Sequence, residues 1–125
     1  MTIIDPNTNL QKLELENSQL EQSILQILQQ STNADDTQLR DELLRTPTQL
    51  WPECLSRYCP SFASGPKRRL EQVQAAISQI KLGIYGICAD CEAIIEAHRL
   101  EQDPASQRCQ RCDAKAQEHH PELRR

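Results

Sequence analysis

Two cysteine pairs, Cys88-Ala-Asp-Cys91 and Cys109-Gln-Arg-Cys112, constrain this chain more than anything else in it. Two residues between thiols let a tight turn aim both sulfurs at one ion, and the seventeen residues between the pairs are enough to bring the second turn round without strain. Four thiolates complete a tetrahedral set and leave no open position. The spacing therefore predicts one structural zinc held by Cys88, Cys91, Cys109 and Cys112 rather than a metal that activates water. Two disulfides are the competing use of the same residues. They need an oxidising compartment, and Met-Thr-Ile-Ile-Asp-Pro-Asn at the start shows neither a basic nor an apolar export region, so a reducing, cytoplasmic setting is expected. With the ligand set complete, His98, His119 and His120 read as surface or hinge residues.

A chain of 125 residues with 38% hydrophobic and 3% aromatic content is lean for one globular core and suits an elongated molecule, a small finger with a helical extension. The net charge of −4 argues against phosphate-backbone binding as the main activity, and no apolar run approaches membrane-spanning length. Charge is uneven. Residues 1–65 carry nine acids and four bases, whereas 66–125 carry nine acids and ten bases. Solvated helix faces account for much of this; the alternative is an acidic end that meets a basic or metal-containing partner surface.

Leu10, Leu13, Asn17, Leu20, Ile24 and Ile27 alternate spacings of three and four, which predicts a helix over about Thr8 to Gln30, with Leu28 widening its apolar stripe. Asn17 is the polar residue on that seam and reads as a register-setting position, or as a place where the seam frays. Leu70, Val73, Ile77 and Ile80 repeat the pattern in a second helix, with Pro66 at its first position and Gly83 at its end. The fold class expected is mainly α: an antiparallel coiled-coil hairpin over residues 1–82, and a four-cysteine finger with a C-terminal helix over residues 83–125. Dimerisation between chains is the other way to cover the same stripes.

The connection from Ser31 to Gly65 carries its own signals. Asn33-Ala-Asp35-Asp36 reads as a helix start with acids in the first turn and Leu39, Leu43 and Leu44 on the inner face. Thr46-Pro47-Thr48-Gln49 reads as a second start, with Thr46 as the cap and Gln49 closing a capping box before a short helix kept brief by Pro52 and Pro60. Trp51, Tyr58 and Phe62 either build a satellite core that stabilises this end of the hairpin or contact a partner. Cys54 and Cys59 lack metal or redox spacing and read as inert reduced thiols.

Around the cysteine pairs, Tyr85-Gly86-x-Cys88-x-x-Cys91, Ile95, Arg99-Leu100-Glu101, Pro104 and Cys109-x-x-Cys112 resemble the finger of the DksA/TraR family of bacterial transcription factors, over about residues 83–115. The resemblance implies a non-enzymatic regulator that binds RNA polymerase, pushes a coiled coil into its secondary channel and alters initiation without contacting DNA. It also implies a rim or interdomain contact at Arg99. The family's Asp-x-x-Asp-x-Ala tip signature is absent; Asp35 and Asp36 are the nearest acidic candidates for a partner contact, without the family spacing. Asp113 stands where ppGpp-responsive members tend to have a base, and Glu92 stands where the family usually has glycine.

Two other classes of function remain open on the sequence. One is a nucleic-acid-binding zinc module using Arg99, Arg108, Arg111 and Lys115; the other is an adaptor that uses the aromatic connection to hold a different protein. The expected molecule is a monomer with one structural zinc and RNA polymerase as its protein partner. No Ser/His/Asp or paired-carboxylate arrangement supports an enzyme.

Overall fold

A computed structural model describes residues 6–60 and 63–119; Phe62 and His120 lie outside the described residues, as does the side chain of His119. Among the described residues six helices follow one another: α1 (Pro6–Gln29), α2 (Ala34–Leu44), α3 (Trp51–Arg57), α4 (Ser64–Leu82), α5 (Ala97–Gln102) and α6 (Gln110–His119), with a 3-10 turn at Thr48–Leu50 leading into α3. Among the described residues no strand forms, and the finger holds one isolated antiparallel bridge between Ile87 and Ile94. The chain is mainly helical, as the seams and their punctuation predict.

Packing divides the chain into residues 14–74 and a second unit made of residues 1–13 with 75–125. The 82/83 boundary of the sequence reading follows chain order instead, and separates helix from finger.

In the unit of residues 14–74, Ile24 and Leu28 of α1, Leu39 and Leu43 of α2, Trp51, Cys54 and Leu55 of α3 and Leu70 of α4 form one core, with Leu20, Leu25 and Cys59 packed against it. Ile24 shares this core with Leu70, while Asn17, two turns earlier in α1, meets Gln74, one turn later in α4. The two helices therefore run in opposite directions here. The Gln74 amide donates to Asn17 Oδ1 (3.3 Å), to the Thr48 carbonyl (2.8 Å) and to Thr48 Oγ1 (3.1 Å), and the Asn17 amide donates to Glu21 (2.8 Å). Asn17 is buried yet fully engaged, which is what a register-setting polar residue needs. Arg69 forks onto Glu16 beside it, with Nη2 donating to Oε1 at 3.0 Å.

Several expectations are corrected in this unit. Leu28, not Ile27, is the residue that turns inward, at 1% exposure against a partly exposed Ile27. Leu44 points out, 56% exposed, leaving Leu39 and Leu43 as the inner face of α2. Asn33 does cap α2, accepting from the Asp35 amide at 2.8 Å. Thr46, however, caps nothing: its hydroxyl turns back to donate to the Glu42 carbonyl (2.6 Å), and Pro47 precedes the 3-10 turn without a side-chain cap. The reason lies with Trp51, whose indole N–H donates to the carbonyls of Leu43 (3.1 Å) and Thr46 (2.9 Å) and so satisfies the end of α2 from above. Trp51 is thus the satellite-core residue, while Tyr58 is 38% exposed.

In the other unit, the start of α1 is tied to the finger. The Asn9 amide donates to the Tyr85 hydroxyl (3.1 Å), which donates in turn to the Pro104 carbonyl (2.7 Å), and the Gln79 amide donates to Gln107 (2.9 Å). Gly83 ends α4 at φ +77, a left-handed closure that glycine adopts without penalty.

Candidate metal centre

The first cysteine pair is shaped by a backbone loop that closes on itself. The Ile95 amide donates to the Gly86 carbonyl (2.8 Å), the Cys88 amide to the Ala93 carbonyl (2.7 Å), and the Glu92 amide back to the Cys88 carbonyl (3.0 Å). Gly86 lies at φ +87, a left-handed conformation that favours glycine, while the Leu100 side chain 3.6 Å from where a β-carbon would stand leaves ordinary contact room. Glu92 lies at φ +64, a left-handed position at which a non-glycine residue is strained.

The second pair is placed by a helix. Cys109 immediately precedes α6 and its carbonyl accepts the Asp113 amide (2.9 Å), so Cys112 falls in the first turn, pointing back beside Cys109. A Glu96 carboxylate oxygen accepts the Gln110 amide at 3.1 Å, an N-terminal cap delivered from fourteen residues upstream. The carboxyl lies below the usual range, held there by its own backbone N–H and then by that of Gln110. The Ala89 amide donates to the Gln107 carbonyl (2.8 Å) and locks the two pairs together.

The result is a cluster of four sulfurs, all within 4.8 Å of one another, with Cys91 and Cys109 Sγ 3.8 Å apart. A tetrahedral ion with metal–sulfur bonds of about 2.3 Å puts its ligands about 3.8 Å from each other, so the donor set fits one thiophilic metal. Cys88, Cys109 and Cys112 are buried and Cys91 is partly exposed. Burial opposes a thiolate at Cys88, yet the backbone N–H groups of Cys109, Cys91 and Asp90 outweigh it and bring the group down to about 6. Cys112 is pushed up to about 12, by burial first and then by the neighbouring sulfurs that accept its proton. A charge on one sulfur thus opposes a charge on the next, a conflict that a bound cation resolves. Ile95 and Leu100 complete the core behind the cluster, with Tyr85 packed against it.

Other residues singled out on the sequence are not part of the cluster. His98 is exposed, and Cys54 and Cys59 belong to the other unit. Arg99 is turned inward within the finger, donating to the Arg108 carbonyl (3.2 Å) and to Asp113 (3.1 Å), while Arg108 donates to Asp90 (2.7 Å). Two of the four basic residues of the patch are thereby drawn into local ion pairs. Asp35 is exposed in the first turn of α2, but Asp36 is buried at 2% exposure, accepting from the hydroxyls of Ser31 (2.6 Å) and Tyr58 (2.5 Å). Sequence reasoning missed Glu96 as a cap, because nothing near α6 announces a carboxylate that arrives from another loop.

The sequence matches no known family profile and no curated protein. Its structure is similar to that of transcription factor DksA2 from Pseudomonas aeruginosa, with a TM-score of 0.56 over 93% of this chain and 85% of the other, at 17% identity. The chain has the DksA fold. In that frame the four-cysteine cluster near the C-terminus fits a finger of the DksA/TraR type. Among the described residues no helix is long and apolar enough to cross a membrane.

Proposed function

We propose that this protein is a transcription regulator that binds RNA polymerase through its secondary channel and modulates initiation without contacting DNA. The observation that carries the proposal is the fold likeness to a transcription factor across nearly the whole chain, joined to a finger whose residues resemble the same family. Cys88, Cys91, Cys109 and Cys112 hold one zinc in this reading. When bound, the ion crosslinks the two loops and supplies fold stability. The chain then acts as a cytoplasmic, monomeric, non-enzymatic factor.

Arg99 supports a partner interaction by fixing the finger surface through Asp113 and the Arg108 carbonyl, and in this reading it presents the rest of its guanidinium at the rim contact. Asp35 is the acid that faces solvent at the start of α2 and is proposed to point toward the channel. Asp36 supports it from inside by fixing α2 against Tyr58 and Ser31. Asp113 engages Arg99 and repels polyphosphate, so a response to ppGpp at this position is not part of the reading.

The test is co-sedimentation of the purified protein with core RNA polymerase at low salt, with a known secondary-channel factor as competitor. Saturable binding lost to the competitor is expected. Binding that survives the competitor, or no binding at all, rejects the secondary channel and leaves the fold without this function.

A further inference from the structure

We infer that Arg111 is the charge-compensating residue of the four-cysteine centre: with Lys115 one turn further along α6, it lines the depression where the Cys91 edge of the site reaches solvent. The inference rests on the reading that the four cysteines hold zinc. A divalent ion with four thiolates carries a net charge of about −2, and such a surplus needs hydrogen bonds and cations around it. The chain meets that need unequally. Cys88 is deeply buried, whereas Cys91 is the partly exposed member of the set.

Asp90, Cys91, Arg111, Cys112, Lys115 and Ala116 line one surface depression, which brings two cations to the Cys91 edge. Their i,i+4 spacing on α6 keeps both on that face. The neighbouring arginines are committed elsewhere: Arg99 to Asp113 and Arg108 to Asp90. Arg111 is the arginine left in the depression beside Cys91 and Cys112. A positive charge beside a thiolate stabilises it and lowers its nucleophilicity, so the residue governs how fast the exposed edge of the site reacts and how firmly the ion is kept.

The experiment uses the full chain loaded with zinc and treated with iodoacetamide, following zinc release with a chromogenic chelator and the first alkylated cysteine by peptide mass. Outer partners of metal ligands are commonly worth about 10-fold or more, so R111Q is expected to release zinc about 10-fold faster, with Cys91 modified first. R111K keeps the charge without the fork and is expected to fall between R111Q and the parent. R108Q removes a cation whose partner is Asp90 and is expected to match the parent. Release from both R111Q and R111K within about twofold of the parent, or equal acceleration in R108Q, or first alkylation at another cysteine, overturns the inference while leaving the zinc reading intact. A parent protein that carries no zinc overturns both.

Discussion

The Tyr58 hydroxyl donates to the buried carboxylate of Asp36 at 2.5 Å, joining the residue after α3 to the first turn of α2 across the core of residues 14–74. Ser31, just past α1, donates to the other carboxylate oxygen at 2.6 Å, so one acid ties together three helix ends. Asp36 was an acidic candidate for a partner contact; its position makes it an internal clamp that orders the segment on which Asp35 is displayed.

Tyr58→Phe is expected to destabilise the protein, because it leaves the buried Asp36 carboxylate short of a donor. Chemical denaturation measures the loss. The phenol pKa is pushed up to about 12 by the hydrogen bond to Asp36, with burial and the Asp36 charge adding to it. A raised folded value means that this contribution is complete below the ordinary tyrosine pKa of about 10 and is lost as pH climbs through 12. Ultraviolet titration is expected to show both tyrosines ionising above the ordinary value, Tyr85 because of burial, and Asp36→Asn to return Tyr58 alone toward it.

Leu28→Ala is expected to cost about 2–4 kcal/mol and Ile27→Ala less than half as much, since Leu28 is 1% exposed within the core and Ile27 is partly exposed. Paired urea melts of the two variants make the comparison. Equal losses would show that both residues face the core in solution.

Glu92→Gly is expected to stabilise the finger by about 0.5–1 kcal/mol. Relief of the left-handed strain at φ +64 outweighs the extra freedom glycine has in the unfolded chain. The measurement is the thermal midpoint of the metal-loaded protein. A lower midpoint would mean that the Glu92 side chain contributes more than its backbone costs.

One zinc per chain is expected by metal analysis, and Cys109→Ser is expected to abolish it and unfold about residues 83–115, because coordination free energy becomes folding free energy in a finger of this size. Amide exchange reads the loss residue by residue. Full zinc occupancy in that variant would exclude the four-cysteine site.

What the sequence by itself determined is whatever depends on covalent spacing or on one helix's own period. Cys88-x-x-Cys91 and Cys109-x-x-Cys112 announce a shared ion because two-residue turns aim both thiols one way; Asn33 and Gly83 mark helix ends by side-chain and backbone chemistry confined to a single turn. Tertiary structure decided what depends on an element arriving from elsewhere. Ile27 and Leu28 sit only about 100° apart on α1, and the choice between them waits on where α2 and α3 pack. Thr46 is an acceptable cap in isolation, but Trp51 satisfies the end of α2 and leaves the threonine to bond backward. Glu96 reaches the start of α6 only once the finger has closed, and Arg99, Arg108 and Arg111 read as one basic patch until the fold delivers Asp113 and Asp90 to the first two and sets the third in one depression with Cys91. Partners separated by more than a helical turn leave no period in the chain, so only the fold could pair them.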